Sequence, residues 1–186
     1  MLTIEQDFYS EIEIKKSKFI SYIFPNKNNQ NFDIYLNKLK TEHYKAKHFV
    51  TAFRYKNSYK QIIEGSSDNG EPRGTSGKPT LNVLIGDDLI DIGVITVRYF
   101  GGTKLGTGGL VSAYSDAIHS TIKISHLIQT RDLIESELFI NYKNITRFKA
   151  LINKFNCFIL NENFNETGAF FKISCEEQNI FQLKNY

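Results

Sequence analysis

Hydrophobic and polar positions along the chain change period several times, and each change marks an element. Phe8 to Lys15 alternates polar and apolar residues, and Lys18 to Phe24 is aromatic and β-branched, so the two predict a hairpin ending at Pro25. After a polar connector, Phe32, Leu36, Leu39 and His43 fall at helical spacing, with Asn31 as a candidate cap and Asp33 in the first turn. His48 to Tyr55 reads as a strand with His48, Val50, Ala52 and Arg54 on one face and Phe49, Thr51, Phe53 and Tyr55 on the other. Tyr59 to Glu64 is the next expected strand. Pro79 to about Ile85 reads as a helix capped by Gly86, Ile92 to Phe100 as a buried strand, and Leu110 to Ile124 as an amphipathic helix.

After Ile124 the chain changes character, and Ser125 to Asp132 reads as a linker. A strand at Leu133 to Tyr142 follows, then a helix with Ile145, Phe148, Ile152 and Phe155 on one face. Strands at Cys157 to Phe164 and Ala169 to Cys175 flank the turn Asn165-Glu166-Thr167-Gly168. This β-α-β-β order is most of a ferredoxin-like unit. The tail, Glu176 to Tyr186, offers a short helix and no obvious fourth strand. The expected division is 1–127 and 128–186, in an α+β, two-domain chain.

Two glycine-rich stretches interrupt these elements. SSDNGEPRGTSGKP, Ser66 to Pro79, carries Asp68, Gly70, Glu71, Arg73, Gly74, Gly77 and Lys78; RYFGGTKLGTGGL, Arg98 to Leu110, carries Tyr99, Gly101, Gly102, Lys104, Gly106, Gly108 and Gly109. Each leads into a helix, where free N–H groups and the positive end of the helix dipole suit an anion. The repetition of one device predicts two walls of one site, with His48 and Arg54 as further wall. Arg98 and Lys104 are read as ligand cations and Phe100 as the end of a core strand. Neither stretch is a known nucleotide motif: Lys78 is followed by Pro79 where a P-loop needs Ser or Thr, and Gly106-Thr107-Gly108 lacks the third glycine of a dinucleotide fingerprint.

Composition narrows the chemistry. The 186 residues are 41% hydrophobic, with fifteen Phe and ten Tyr, enough for a real core. The net charge of +3 is compatible with phosphate-rich partners but far from a basic tail. Cys157 and Cys175 sit in apolar runs without a CxxC or clustered histidines, so buried free thiols are expected rather than a disulfide or a metal site. The first residues carry acids and no continuous apolar run, which points to no membrane segment and a cytoplasmic location. Ser76, Ser112 and Cys157 each lack a flanking base, and no residue set names a reaction.

DNGEPRGTSGKP and RYFGGTKLGTGGLVSAYSDA, with the upstream AKHFVTAFRY and the spacing between them, closely resemble the motifs of the IMPACT family in its bacterial, YigZ-type form. The resemblance covers Lys16 to Ile124, with a weaker match beyond. It implies a first domain like the α/β sandwich of a small-subunit ribosomal protein, of elongation factor G domain IV and of the GHMP kinases. It implies a second, ferredoxin-like domain similar to domain V of that factor. Eukaryotic relatives restrain a kinase responsive to amino-acid shortage by competing for its activator on the ribosome, with an accessory domain of a different kind, and that activity is not carried over. What the resemblance implies here is a translation-linked protein without a cofactor that binds RNA or a ribosome-associated factor through the two loops. The alternative is an enzyme or sensor for a small phosphorylated metabolite or nucleotide, using Asp68, Glu71 and Lys78.

Overall fold

The computed structural model describes residues 1–184. They fall into two compact units, Met1–Thr130 and the chain from Arg131 onward.

In the first unit five strands form one antiparallel sheet: β2 (Phe8–Ile14), β3 (Ser17–Pro25), β4 (His48–Lys56), β5 (Ile62–Ser67) and β6 (Ile92–Tyr99), in the order β2-β3-β6-β4-β5. The most apolar strand, β6, occupies the centre, and its first seven residues are buried. Because side chains alternate across a sheet, each strand feeds two cores. Ile23, Ala52 and Val94 meet Leu81 and Leu84 of α2 (Gly77–Gly86) and Ile118 of α3 (Gly106–Ile124); Phe19 and Val50 meet Leu110, Ala113 and Tyr114 of the same α3. On the opposite face Phe24, Phe49, Ile95 and Val97 pack against Phe32 and Leu39 of α1 (Phe32–Glu42). The sheet is thus sandwiched between α1 on one side and α2 and α3 on the other.

The element order follows the hydrophobic pattern, but β5 (Ile62–Ser67) lies three residues later than the expected Tyr59 to Glu64, and there are four further differences. First, α3 begins at Gly106, so Gly106, Gly108 and Gly109 lie in its first turn rather than in a loop. Glycine is a poor helix former, and this concealed the start. Second, α2 starts two residues before Pro79, and Gly86 is its last residue rather than its cap. Third, Ile128–Gln129 within the expected linker forms β7, paired with β1 (Leu2–Thr3). Two residues are too few to show a period. Fourth, Asn31 stands at the start of α1 but makes no side-chain capping bond.

The second unit runs β8 (Leu133–Asn141), α4 (Ile145–Lys154), β9 (Phe158–Phe164), β10 (Gly168–Glu176) and α5 (Glu177–Lys184), with sheet order β8-β10-β9 and no fourth strand among the described residues. Residues 185 and 186 of the expected tail helix lie outside the described residues. Phe148, Ile152, Phe171, Ile173 and Ile180 form its core. The expectation of free thiols is corrected here: Cys157 and Cys175 are disulfide-bonded, with 4.6 Å between their Cα atoms. An irregularity between Lys172 and Ile173 shifts the β9–β10 register by one residue, so that Ser174 pairs with Phe158 and Cys175 follows opposite Cys157. Without that shift the cysteines would be offset, which is why spacing alone does not reveal the pair. No helix of the described residues is long and apolar enough to cross a membrane.

Candidate functional site

The strand directions bring the two glycine-rich stretches to one end of the sheet. His48 opens β4 and pairs with Arg98 near the end of β6, while the first stretch leaves β5, the neighbour of β4, and leads into α2. Asp68 organises it. Its carboxylate accepts the N–H groups of Gly74 at 2.8 Å, Ser76 at 3.1 Å and Gly77 at 2.8 Å, and the Ser76 hydroxyl at 2.7 Å. Burial disfavours the charged carboxyl, but these donors together outweigh burial and hold its pKa below the ordinary carboxylate value. The start of α2 therefore already holds an anion, Asp68 itself. The Ser76 and Gly77 N–H groups that lead into α2 are thus already bonded within the protein.

Glu71 joins the two stretches. Arg98 Nη1 donates to Glu71 Oε1 at 2.6 Å, and the Tyr114 hydroxyl of α3 donates to the same oxygen at 2.8 Å. Only 6% of the Arg98 side chain and 4% of the Glu71 side chain are exposed. Arg98 Nη2 reaches Ser17 Oγ at 3.4 Å, and the Gly101 N–H reaches that oxygen at 3.1 Å. Burial, and then the Glu71 charge and hydrogen bond, drive the Tyr114 phenol pKa strongly upward, so it stays a neutral donor. One buried network thus ties the first stretch to β3, to β6, to the second stretch and to α3.

This arrangement corrects several expectations. Arg98 is a structural cation committed to Glu71, and Phe100, read as core, is 56% exposed. The Arg98 guanidinium lies over the Phe100 ring at 5.7 Å and the Phe19 ring at 5.4 Å. Tyr99 points to the α1 side and bonds His43 Nδ1 at 2.9 Å, as strand alternation requires of the neighbour of Arg98. Arg54 belongs elsewhere: it lies six residues along β4 from His48, about 20 Å away, and binds Glu64 at 2.8 Å and the Leu89 carbonyl at 3.0 Å. His48 does adjoin the first stretch. Its Nδ1 lies 3.0 Å from the Asn69 carbonyl, an acceptor only, so Nδ1 carries the proton, and Gly70 faces the same ring.

The start of α3 differs from that of α2. Leu105 precedes it, no side chain caps it and no acid lies in its first turn. Gly102 and Gly106 have φ near +89° and +75°, and beside Gly102, Gly106 and Gly108 a β-carbon would meet only open space. Gly101 is of another kind: a β-carbon there would collide with the Lys16 carbonyl in the β2–β3 turn. Gly77 is similarly pressed against the Ser67 backbone, and Gly109 against Leu105. Arg73, Lys78 and Lys104 are exposed, as is Lys16. Sequence reasoning missed Ser17 and Tyr114, whose partners lie 84 and 43 residues away, and Lys16, whose turn is unremarkable until the hairpin folds against Gly101.

The Impact N-terminal domain model matches residues 15–122, more than half the chain. An IMPACT family member from Haemophilus influenzae is 37% identical over 157 residues, covering 83% of this chain and 75% of the relative. The chain belongs to the IMPACT family. A second IMPACT family member, YigZ of Escherichia coli, is 33% identical over 152 residues, 82% of this chain and 74% of its own length. A crystal structure of a hypothetical protein aligns with a TM-score of 0.69 and 28% identity over 98% of this IMPACT chain and 88% of that one. The family match contains all of the Asp68 and Glu71 networks, from Ser17 to Tyr114.

Proposed function

We propose that this IMPACT-family chain is a translation-linked binding protein that holds RNA against the open start of α3. The carrying observation is Gly108. It has no positive φ, sits in a helical turn and has open space where a side chain would be, so neither backbone conformation nor internal packing accounts for it. A bare backbone on an exposed helix start lets a phosphate come close to N–H groups. Lys104 in the second stretch and Arg73 and Lys78 in the first supply exposed cations, and Phe100 offers an exposed ring for a base. Asp68, Glu71, Arg98 and Tyr114 form the frame beneath this surface. A ribosome-associated factor is the other partner that would use this surface.

The test is filter binding of the full chain to a structured RNA over a salt series. Affinity should fall steeply with salt, and Lys78→Ala with Lys104→Ala should each flatten the log–log slope by about 1. Binding that ignores salt, or that both substitutions leave intact, overturns the proposal.

A further inference from the structure

A cavity lies on the α1 face of the same sheet, opposite α2 and α3. The helix α1 covers β3, β6 and β4 but leaves the edge strand β2 uncovered, and a cleft of about 340 Å³ opens between them. Its walls include three phenol rings beside the apolar Phe8, Ile23, Phe24 and Leu39. Tyr9 and Tyr22, directly paired across β2 and β3, stack at 5.5 Å with 24° between their planes. Tyr35 of α1 stacks on Phe24 at 4.0 Å and 11°. Three charged side chains line it as well: Asp7, Glu42 and, one turn of α1 before Glu42, Lys38.

The geometry holds these groups in place before any ligand arrives. The Tyr35 hydroxyl donates to both Asp7 oxygens, at 2.7 and 2.6 Å, fixing the carboxylate at the mouth. The Tyr22 hydroxyl is 2.8 Å from His43 Nε2, which locks that wall. Lys38 reaches Glu42 only at 3.9 Å, with both side chains exposed, so it is a weak competitor for the acid. Along β2 the next two outward residues on this face are Glu11 and Glu13; Lys18 engages Glu11 at 2.8 Å. Burial first, and then Glu42 among its charged neighbours, pushes the Tyr22 phenol up to about 12, the direction expected in a negative field.

Electron-rich ring faces beneath carboxylates repel phosphate and attract an organic cation, most of all a planar guanidinium that can stack and hydrogen-bond together. The outer edge of β2 adds a second component. It carries no strand partner among the described residues, so it presents free backbone N–H and C=O groups to an extended segment. We propose that the cleft receives an arginine side chain from a partner protein segment that adds to the β2 edge. This site is independent of the RNA-binding reading and uses none of its residues.

The test is NMR titration of the full-length protein with three probes. They are a five-residue blocked peptide of alternating threonine and valine with a central arginine, the same peptide with citrulline, and N-acetyl-arginine amide. The arginine peptide should give saturable shifts at Asp7, Tyr9, Tyr22 and Tyr35 and along the amides of β2. Citrulline, which is neutral and nearly isosteric, should bind about tenfold more weakly or worse. Tyr9→Ala and Glu42→Gln should weaken the arginine peptide several-fold; Tyr9 is 64% exposed and Glu42 is also at the surface, so both variants should keep the parent melting temperature. Lys78→Ala with Lys104→Ala should bind the peptide as the parent does, which separates failure here from failure of the RNA reading. Equal affinity for citrulline, shifts that map elsewhere, or no saturation overturns the site. Free arginine amide binding as tightly as the peptide overturns the strand-addition component and with it the assignment to a protein segment.

Discussion

At the scale of single residues, two carboxylates that the sequence places in one short turn, Asp68 and Glu71, have separate tasks. Asp68 gathers three N–H groups and one hydroxyl at the start of α2, so Asp68→Ala should cost about 1–2 kcal/mol in urea unfolding. Its pKa is lowered on folding. The contribution is therefore complete above the unfolded value of about 3.9 and is lost as pH falls through the lower folded value. Unfolding curves at pH 7 and pH 3 should show the gap between Asp68→Ala and the parent narrowing toward acid; a gap independent of pH would assign the effect to packing instead. Glu71 is the counter-charge of a buried arginine. Glu71→Ala leaves Arg98 charged, buried and unpaired, and should destabilise by about 3–5 kcal/mol, read from the denaturation midpoint. Glu71→Gln keeps an acceptor for Tyr114 and should recover part of that loss.

At the scale of elements, the first turn of α3 carries glycines with opposite requirements. Gly106 has φ near +75°, so Gly106→Ala imposes a left-handed conformation on an alanine and should destabilise by about 1 kcal/mol. Gly108 has an ordinary helical backbone and free space. Gly108→Ala should stabilise by up to about 1 kcal/mol and, on the RNA-binding reading, should weaken RNA affinity at the same time. Melting and filter binding on this one variant measure both effects. A gain in stability with unchanged affinity would mean that nothing approaches that turn. The strands carry a related lesson: at the end of β6 and just beyond it, the consecutive residues Arg98, Tyr99 and Phe100 go to the α3 side, the α1 side and solvent, so neighbours in sequence serve three different environments.

At the scale of the whole molecule, the first unit places unlike groups of charges at two locations. Exposed Arg73, Lys78 and Lys104 belong to the stretches at the end of the sheet, whereas Asp7, Glu11, Glu13 and Glu42 gather along β2 and α1. Lys18 and Lys38 lie among those acids. The first unit also closes on itself, because Leu2 and Thr3 pair with Ile128 and Gln129 and the Thr130 N–H bonds the Met1 carbonyl at 3.1 Å. A fragment of residues 1–130 should fold cooperatively and retain the salt-dependent RNA binding proposed for the full chain. A fragment of residues 1–127 loses the β1–β7 pairing and should melt several degrees lower. Calorimetry on the two fragments checks this.

By itself the sequence determined the order of elements, the two faces of β4, the burial of β6 and the family, through the long motifs around Asp68 and Gly106. These are local quantities. Periodicity is written every two or 3.6 residues, and a motif is contiguous. The sequence also singled out two stretches, Ser66 to Pro79 and Arg98 to Leu110, which the fold brings to one end of the sheet. It could not assign their residues to frame or surface, because that depends on partners dozens of residues away: Ser17 for Gly101, Tyr114 for Glu71, Glu71 for Arg98. Only the tertiary structure decided that Asp68 already occupies the start of α2, that the start of α3 stays uncapped, and that Arg54 lies at the far end of its strand. A charge is available to a ligand only if the fold leaves it without a partner, and packing, rather than residue type, settles that.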